Sequence, residues 1–339
     1  MKKAIFRVDA GSGIGFGHLN RCIILANELV KKKFKVIFIL SSSSKFFTSR
    51  LNKNGFKYYC IKNFIKNFNQ IKDAKLFIDK IKNIKNIDVV FVDNYFIDYR
   101  WEKLIKCYTK KIFVIDDLNN RKHLCEYYLN NNLLLQNKKI KNKLDNKNCI
   151  ILKNKKYMII KPDYKNYKFV KREKKLKSFF IFFGAEDKKN CSLKILHWLL
   201  SEDYNFNFYF IKTPKLENQL NDLKKIKNKR NYKFYPIQKD LLKIFKNCDA
   251  MISSGGTINF ERIFVKIPGL IFKIADNQKY NCNLIKKFNL GTYKGNFSKL
   301  NKNKFLKLFN NFLINYKKNN QFKNFNLDSQ GAKRIANLI

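Results

Sequence analysis

His18 is the residue in this chain best placed to do chemistry. It closes a run in which glycine recurs at every second position, Gly11, Gly13, Gly15 and Gly17, and it opens an apolar stretch of helical period. Glycines let a backbone approach a ligand closely, and a helix start offers amide N–H groups to an anion. Imidazole is the side chain best matched to proton transfer near neutral pH. Together they predict general acid–base work on a phosphate-bearing substrate; the plainer reading is a histidine that caps or packs at a helix start. The run is not a dinucleotide fingerprint, because Phe16 stands where the third glycine is required and the apolar stretch 36–40 runs into serines instead of a carboxylate for a ribose diol. No phosphate-loop pattern G-x-x-x-x-G-K-S/T occurs, which argues against a nucleoside triphosphatase.

Three carboxylates fall where apolar runs end: Asp93, and the pair Asp116 and Asp117. In a parallel sheet they share a rim with the glycine run, where they could orient a base, steady an imidazolium or bind sugar hydroxyls; capping their own loops is the alternative. His123 follows the pair closely and is as easily structural as functional, and His197 lies in an apolar helix and reads as structural. In the second half, Ser253-Ser254-Gly255-Gly256-Thr257 precedes a helix carrying Glu261, and Asn277 and Gln278 follow the next apolar run. Glycines, hydroxyls and a helix start suit a diphosphate. Glu261, one turn into the helix, suits a ribose or sugar hydroxyl. No Asp-x-Asp or histidine cluster suggests a metal.

These residues need a scaffold that brings strand ends to one rim. Apolar strands at 4–8, 36–40, 88–92 and 112–115 alternate with helices at 18–31, 71–82 and 101–107. That alternation predicts a parallel sheet covered on both faces. Residues 138–148 read as a Lys/Asn-rich surface loop. A second alternation has strands at 179–183, 206–211, 232–234, 250–253 and 268–272, and helices at 192–200, 241–247 and 258–264. Helical segments at 305–314 and 332–339 end the chain. The expected organisation is two Rossmann-like domains, 1–160 and 161–339, with the last helix free to pack back on the first, and a ligand cleft between them.

The formal charge is +47, from 72 basic and 25 acidic residues in 339. The basic residues are spread among Asn, Ile and Phe without a tail, which predicts a solvated basic surface ahead of a nucleic-acid partner. An anionic small substrate fits the charge equally well. The eight cysteines form no C-x-x-C pair and no zinc spacing, which points to a reducing compartment. The N-terminus is too charged for a signal peptide and no run approaches a membrane span, so a cytoplasmic location is expected.

The motifs resemble those of the UDP-2,4-diacetamido-2,4,6-trideoxy-β-L-altropyranose hydrolases of pseudaminic acid biosynthesis, relatives of the MurG-type GT-B glycosyltransferases. The resemblance lies in Arg7-Val8-Asp9-Ala10, Gly15-Phe16-Gly17-His18-Leu19-Asn20-Arg21-Cys22, Val92-Asp93-Asn94-Tyr95 with Trp101-Glu102, and Ile115-Asp116-Asp117 with Arg121 and His123. It continues in Ser254-Gly255-Gly256-Thr257-Ile258-Asn259-Phe260-Glu261-Arg262 and Ala275-Asp276-Asn277-Gln278, and spans about residues 1–290. It implies an α/β fold of GT-B type, two Rossmann-like domains facing across a cleft. His18 would activate the water that attacks the anomeric carbon, with inversion and release of UDP. Substrate contacts would come from Arg7, Asp9, Gly15, Gly17, Arg21, Asp93, Tyr95 and Asp117, and from Ser254, Gly255, Gly256, Thr257, Glu261, Asn277 and Gln278. Because UDP is a good leaving group, no metal or organic cofactor is expected. The freed sugar would pass to a pseudaminic acid synthase. An inverting GT-B glycosyltransferase is the alternative, and a basic nucleic-acid-binding protein a more distant one. The chain departs from the family at Asn94, where a histidine is usual, at Lys161, near a usual arginine, and at Ala185 and Glu186, in a turn that is usually Gly-Gly-Thr-Asp. The acetyltransferase domain that some relatives carry is not expected in a chain of this length.

Overall fold

The computed structural model describes residues 1–9, 16–41, 45–62, 67–162, 164, 176–220, 231–237, 241–315, 322 and 325–339. Gly11, Gly13 and Gly15 of the glycine run lie outside the described residues. The chain divides into two compact units, Met1–Pro162 with Asp328–Ile339, and Asp163–Leu327.

The first unit contains β1 (Lys3–Val8), α1 (Gly17–Lys31), β2 (Lys35–Leu40), α2 (Lys45–Lys53), β3 (Lys57–Cys60), α3 (Gln70–Ile81), β4 (Ile87–Asp93), α4 (Tyr99–Ile105), β5 (Thr109–Ile115), β6 (Tyr127–Leu129), α5 (Asn137–Lys141) and β7 (Ile150–Leu152). The strands form one parallel sheet in the order β3-β2-β1-β4-β5-β6-β7. An aromatic ladder fixes its register: Phe38, Phe6, Phe91, Phe113 and Tyr127 are cross-strand partners in turn. Phe6 stacks on Phe38 at 4.9 Å and on Phe91 at 4.5 Å, and Phe91 meets Phe113 at 4.9 Å. Neighbouring strand residues point to opposite faces, so Ile5, Val90 and Ile112 pack on the far side with Phe77 and Trp101. A one-residue slip would exchange the two faces and break the ladder.

The second unit contains β8 (Ser178–Phe182), α6 (Cys191–Leu200), β9 (Asn207–Ile211), α7 (Pro214–Leu220), β10 (Tyr232–Tyr235), α8 (Leu242–Asn247), β11 (Ala250–Ser254), α9 (Ile258–Phe264), β12 (Gly269–Lys273), α10 (Lys279–Lys287), β13 (Thr292–Asn296) and α11 (Lys302–Asn315). Its sheet is also parallel, in the order β10-β9-β8-β11-β12-β13. In both sheets the strand order reverses beside the first strand, between β1 and β4 and between β8 and β11. Open α/β sheets take ligands at the carboxyl ends of the strands at that reversal.

The final helix, α12 (Gly331–Leu338), belongs to the first unit. Ala332, Ile335 and Ala336 join the core built on Leu19, Cys22 and Ala26 of α1. Gly331 permits the contact, since a Cβ there would lie 2.1 Å from the Met158 carbonyl oxygen. Residues 138–148 are not the surface loop expected of them, because α5, which lies between β6 and β7 in the chain, buries Ile140 completely in the core that includes Tyr128. Those three-residue strands are too short to show periodicity. β13 was not expected either: it is an edge strand, largely half-buried, and so carries no apolar run to mark it. No helix among the described residues is long and apolar enough to cross a membrane.

Candidate functional site

At the reversal of the first sheet, α1 and the ends of β4 and β5 bring four side chains together. His18 Nδ1 meets Asp93 Oδ1 in a short contact. Arg21, one helical turn on, binds both oxygens of Asp93, with Nε to Oδ2 at 2.6 Å and Nη2 to Oδ1 at 2.6 Å. Its remaining nitrogen Nη1 reaches Asp117 Oδ2 at 2.7 Å. The i, i+3 spacing places His18 and Arg21 on one helix face, and β4 ends where they converge. Burial would raise the Asp93 carboxyl, but the charges and hydrogen bonds of Arg21 and His18 outweigh it and hold Asp93 below the ordinary carboxylate range. An ionised Asp93 takes the proton-bearing nitrogen of the ring, so the Nδ1–H tautomer is favoured and Nε2 keeps its lone pair. Tyr95 packs edge-on against the imidazole, with centroids 4.5 Å apart at 86°. Asp117 Oδ1 makes no hydrogen bond among the described residues.

Arg7, expected among the substrate contacts, is turned inward. It is completely buried, and its guanidinium is engaged by Asp9 at 2.6 and 3.0 Å, Asp73 at 2.9 and 2.6 Å and Ser41 Oγ at 2.8 Å. Asp9 is likewise occupied: it accepts from Arg7, from the Ser41 amide at 2.8 Å and from Asn94 Nδ2 at 2.6 Å. Burial alone would raise the Asp9 carboxyl, but Arg7 lowers it. The pair therefore braces the ends of β1 and β4, and Asn94 has its place in that brace. Gly17 is the first residue of α1. Gly15 lies outside the described residues.

His123 is fully buried between two carboxylates, with Nδ1 2.6 Å from Glu102 Oε1 and Nε2 3.6 Å from Asp116 Oδ2. Burial alone would lower its pKa; the charges of Glu102 and Asp116 instead push it up to about 9. Asp116 also accepts the amides of Leu118 at 3.1 Å and Asn119 at 2.9 Å and the Tyr128 hydroxyl at 2.8 Å. The two carboxylates thus favour the protonated form of His123, which sits behind the loop that carries Asp117.

The second unit carries a turn at its own strand reversal. β11 delivers Ser254, Gly255 crosses over α10, and Gly256 and Thr257 lead into α9. Gly255 is required there, because a Cβ would lie 2.3 Å from Cys282 Sγ. The carbonyls of Ser254 and Gly256 accept from Asn259 Nδ2 at 2.6 and 3.1 Å, and that of Gly255 from Asn281 Nδ2 at 3.1 Å. The amides of Gly256, Thr257 and Ile258 have no acceptor among the described residues, which is the arrangement an anion needs. Glu261 accepts the buried Tyr164 hydroxyl at 2.5 Å. Gln278 Oε1 accepts the Ile274 amide at 3.0 Å, and Asn277 precedes it in the same 3-10 turn. The neighbouring start of α6 is occupied by the chain's own Asp187, which accepts the amides of Cys191 at 3.0 Å and Ser192 at 2.7 Å. Glu186 pairs with Lys188 at 3.2 Å.

No family model matches the chain. A protein of Methanocaldococcus jannaschii, named as uncharacterized protein MJ1062, is 31% identical over 283 residues, covering 80% of this chain; the chain spans 55% of that relative's length. The UDP-2,4-diacetamido-2,4,6-trideoxy-β-L-altropyranose hydrolase of Campylobacter jejuni is 26% identical over 268 residues, covering 78% of this chain and 89% of the relative. Among solved structures, MurG of Acinetobacter baumannii superposes with a TM-score of 0.65 at 11% identity, over 100% of this chain and 99% of the other. The chain has the GT-B fold. The two GT-B sheets hold one constellation each, and the one on the second sheet depends on residues that sequence reasoning missed. Asn259, Asn281 and Tyr164 act only through partners that are distant or that face inward, in a chain where Asn and Tyr are too common to stand out.

Proposed function

We propose that the chain hydrolyses a UDP-linked sugar, and that its substrate is UDP-2,4-diacetamido-2,4,6-trideoxy-β-L-altropyranose. The observation that carries the reading is the pinned imidazole: His18 directs Nδ1 at an ionised Asp93 that Arg21 grips at 2.6 Å on both oxygens. Such an imidazole is a prepared general base, oriented and stabilised in its protonated form by the carboxylate behind it. Water would lose a proton to His18 Nε2 as its oxygen bonds to the anomeric carbon. The bond from that carbon to the diphosphate oxygen would break, and UDP would leave with the electron pair. The amides of Gly256, Thr257 and Ile258, with Glu261, would hold the nucleotide, and Asp117 Oδ1 is a candidate acceptor for a sugar hydroxyl. The similarity to the Campylobacter jejuni hydrolase supports the substrate.

The likeness to MurG favours one further reading, an inverting transferase in which the same base deprotonates an acceptor hydroxyl. Purified protein incubated with the UDP-sugar alone separates them. Release of UDP and free sugar, followed by NMR, is expected without acceptor, and absolute dependence on a second sugar or lipid would replace hydrolysis by transfer.

A further inference from the structure

Beneath the turn that follows β11 lies a cation with no counter-ion among the described residues. Arg262 is completely buried, and its nitrogens donate in three directions: Nε to Asn259 Oδ1 at 3.0 Å, Nη1 to the Ile267 carbonyl at 2.6 Å and Nη2 to the Leu290 carbonyl at 2.6 Å. The Phe322 ring lies 5.7 Å from the guanidinium carbon. The socket is shaped for this group, since a Cβ on Gly269 would stand 2.9 Å from Cζ and one on Gly291 3.1 Å from Nη2. Arg7 and Arg21 each hold two carboxylates. Arg262 pairs with none among the described residues, and burial with no compensating charge pulls its pKa down to about 9. A buried unpaired ion is strongly unfavourable, so its retention calls for a reason.

That reason is legible in Asn259. Its Oδ1 accepts from Arg262, and its Nδ2 donates to the carbonyls of Ser254 and Gly256. A guanidinium donates only, so it decides which end of the Asn259 amide faces it and which end faces the turn. With Asn281 holding the Gly255 carbonyl, the turn's carbonyls are drawn aside and the amides of residues 256–258 are left for a ligand. We propose that Arg262 and Asn259 are positioning residues for a nucleoside-diphosphate site, Arg262 orienting the Asn259 amide that shapes the turn. This rests on the reading that the turn takes the nucleotide of the UDP-sugar.

The test is UDP affinity by calorimetry, with KM and kcat for the UDP-sugar, in the full chain and in N259D and R262K. The carboxylate of N259D keeps the shape of the asparagine side chain but removes both donors to the turn and gives Arg262 a counter-ion. R262K keeps the charge and loses the three-way fork. In each folded variant UDP is expected to bind about tenfold more weakly or worse, with KM rising and kcat little changed. A merely structural residue would lower thermal stability without that split. If N259D fails to fold, R262K and the milder N259S carry the comparison. Wild-type UDP binding with affinities within about twofold in the folded variants would overturn this proposal alone; a wild-type chain that does not bind UDP would overturn the nucleotide reading on which it rests.

Discussion

His18 owes its proposed chemistry to what lies behind it. Asp93 is held ionised by Arg21 and His18 against the effect of its own burial, so it can stabilise the imidazolium that forms as water is deprotonated. His18→Ala should lower kcat about 10²- to 10⁴-fold, with UDP affinity retained because the turn proposed to take the nucleotide lies in the other unit. Asp93→Asn keeps the shape, removes the charge that stabilises the imidazolium, and leaves Arg21 with Asp117 alone. It should lower kcat by about 10² or more, as steady-state turnover would measure; a D93N chain within about threefold of wild type would refute the assigned role of the carboxylate. Because the Asp93 carboxyl lies below its ordinary range, any loss of activity between neutral and mildly acidic pH must come from another group. The histidine, its glycine run and the strand-end carboxylates were visible in the sequence as types and spacings. That Arg21 would face Asp93 while Arg7 turned inward was not, because both arginines follow the same rule of pairing with carboxylates and only the three-dimensional surroundings distinguish them.

At the scale of elements, buried charge ties strand ends to the helices that cover them. Arg7 on β1 is compensated by Asp9 and by Asp73 of α3, and Trp101 of α4 donates to the same Asp73 at 2.9 Å. Asp73→Ala should destabilise the chain by about 3–5 kcal/mol, since it leaves a buried guanidinium half-compensated; denaturant midpoints would measure it, and a loss below about 1 kcal/mol would remove the brace from the account. His123 makes a prediction with a sign. Its pKa is raised from 6.5 to about 9, so its contribution is fully present below pH 6.5 and is lost as pH rises through 9. The contribution is on the order of a few kcal/mol. His123→Gln should therefore lower Tm at neutral pH, and the gap to wild type should narrow toward pH 9.5 to 10, about where the imidazolium has lost its proton. A gap that is constant with pH would mean that His123 is neutral where it sits. The long apolar strands and amphipathic helices were plain in the sequence, with bounds that fall within three residues of those observed. The short strands β6 and β7, the edge strand β13 and the polar helices α7 and α10 were not, because their formation depends on neighbours that supply the pairing and the cover.

For the whole molecule, the charge of +47 raises the question of whether anion binding belongs to the surface or to the site. Among the described residues, Asp9, Glu28, Asp73, Asp93, Glu102, Asp116 and Asp187 are all buried. Other acidic side chains, among them Asp79, Glu217 and Asp276, are exposed, on a surface where basic residues far outnumber them. A surface of that kind binds polyanions by releasing their counterions, and such binding falls by about 10³ to 10⁵ between about 50 and 200 mM salt when many phosphates are contacted. A diphosphate held by the amides of one turn engages few charges and should weaken only several-fold, roughly, over the same range. Turnover of the UDP-sugar and retention of single-stranded DNA, measured side by side across that salt range, should therefore separate: KM is expected to change little while DNA is released. The opposite result, KM rising along the steep slope of DNA release, would transfer substrate capture from the turn after β11 to the lysine-rich surface. It would also leave the inward-facing carbonyls of that turn without a functional reason.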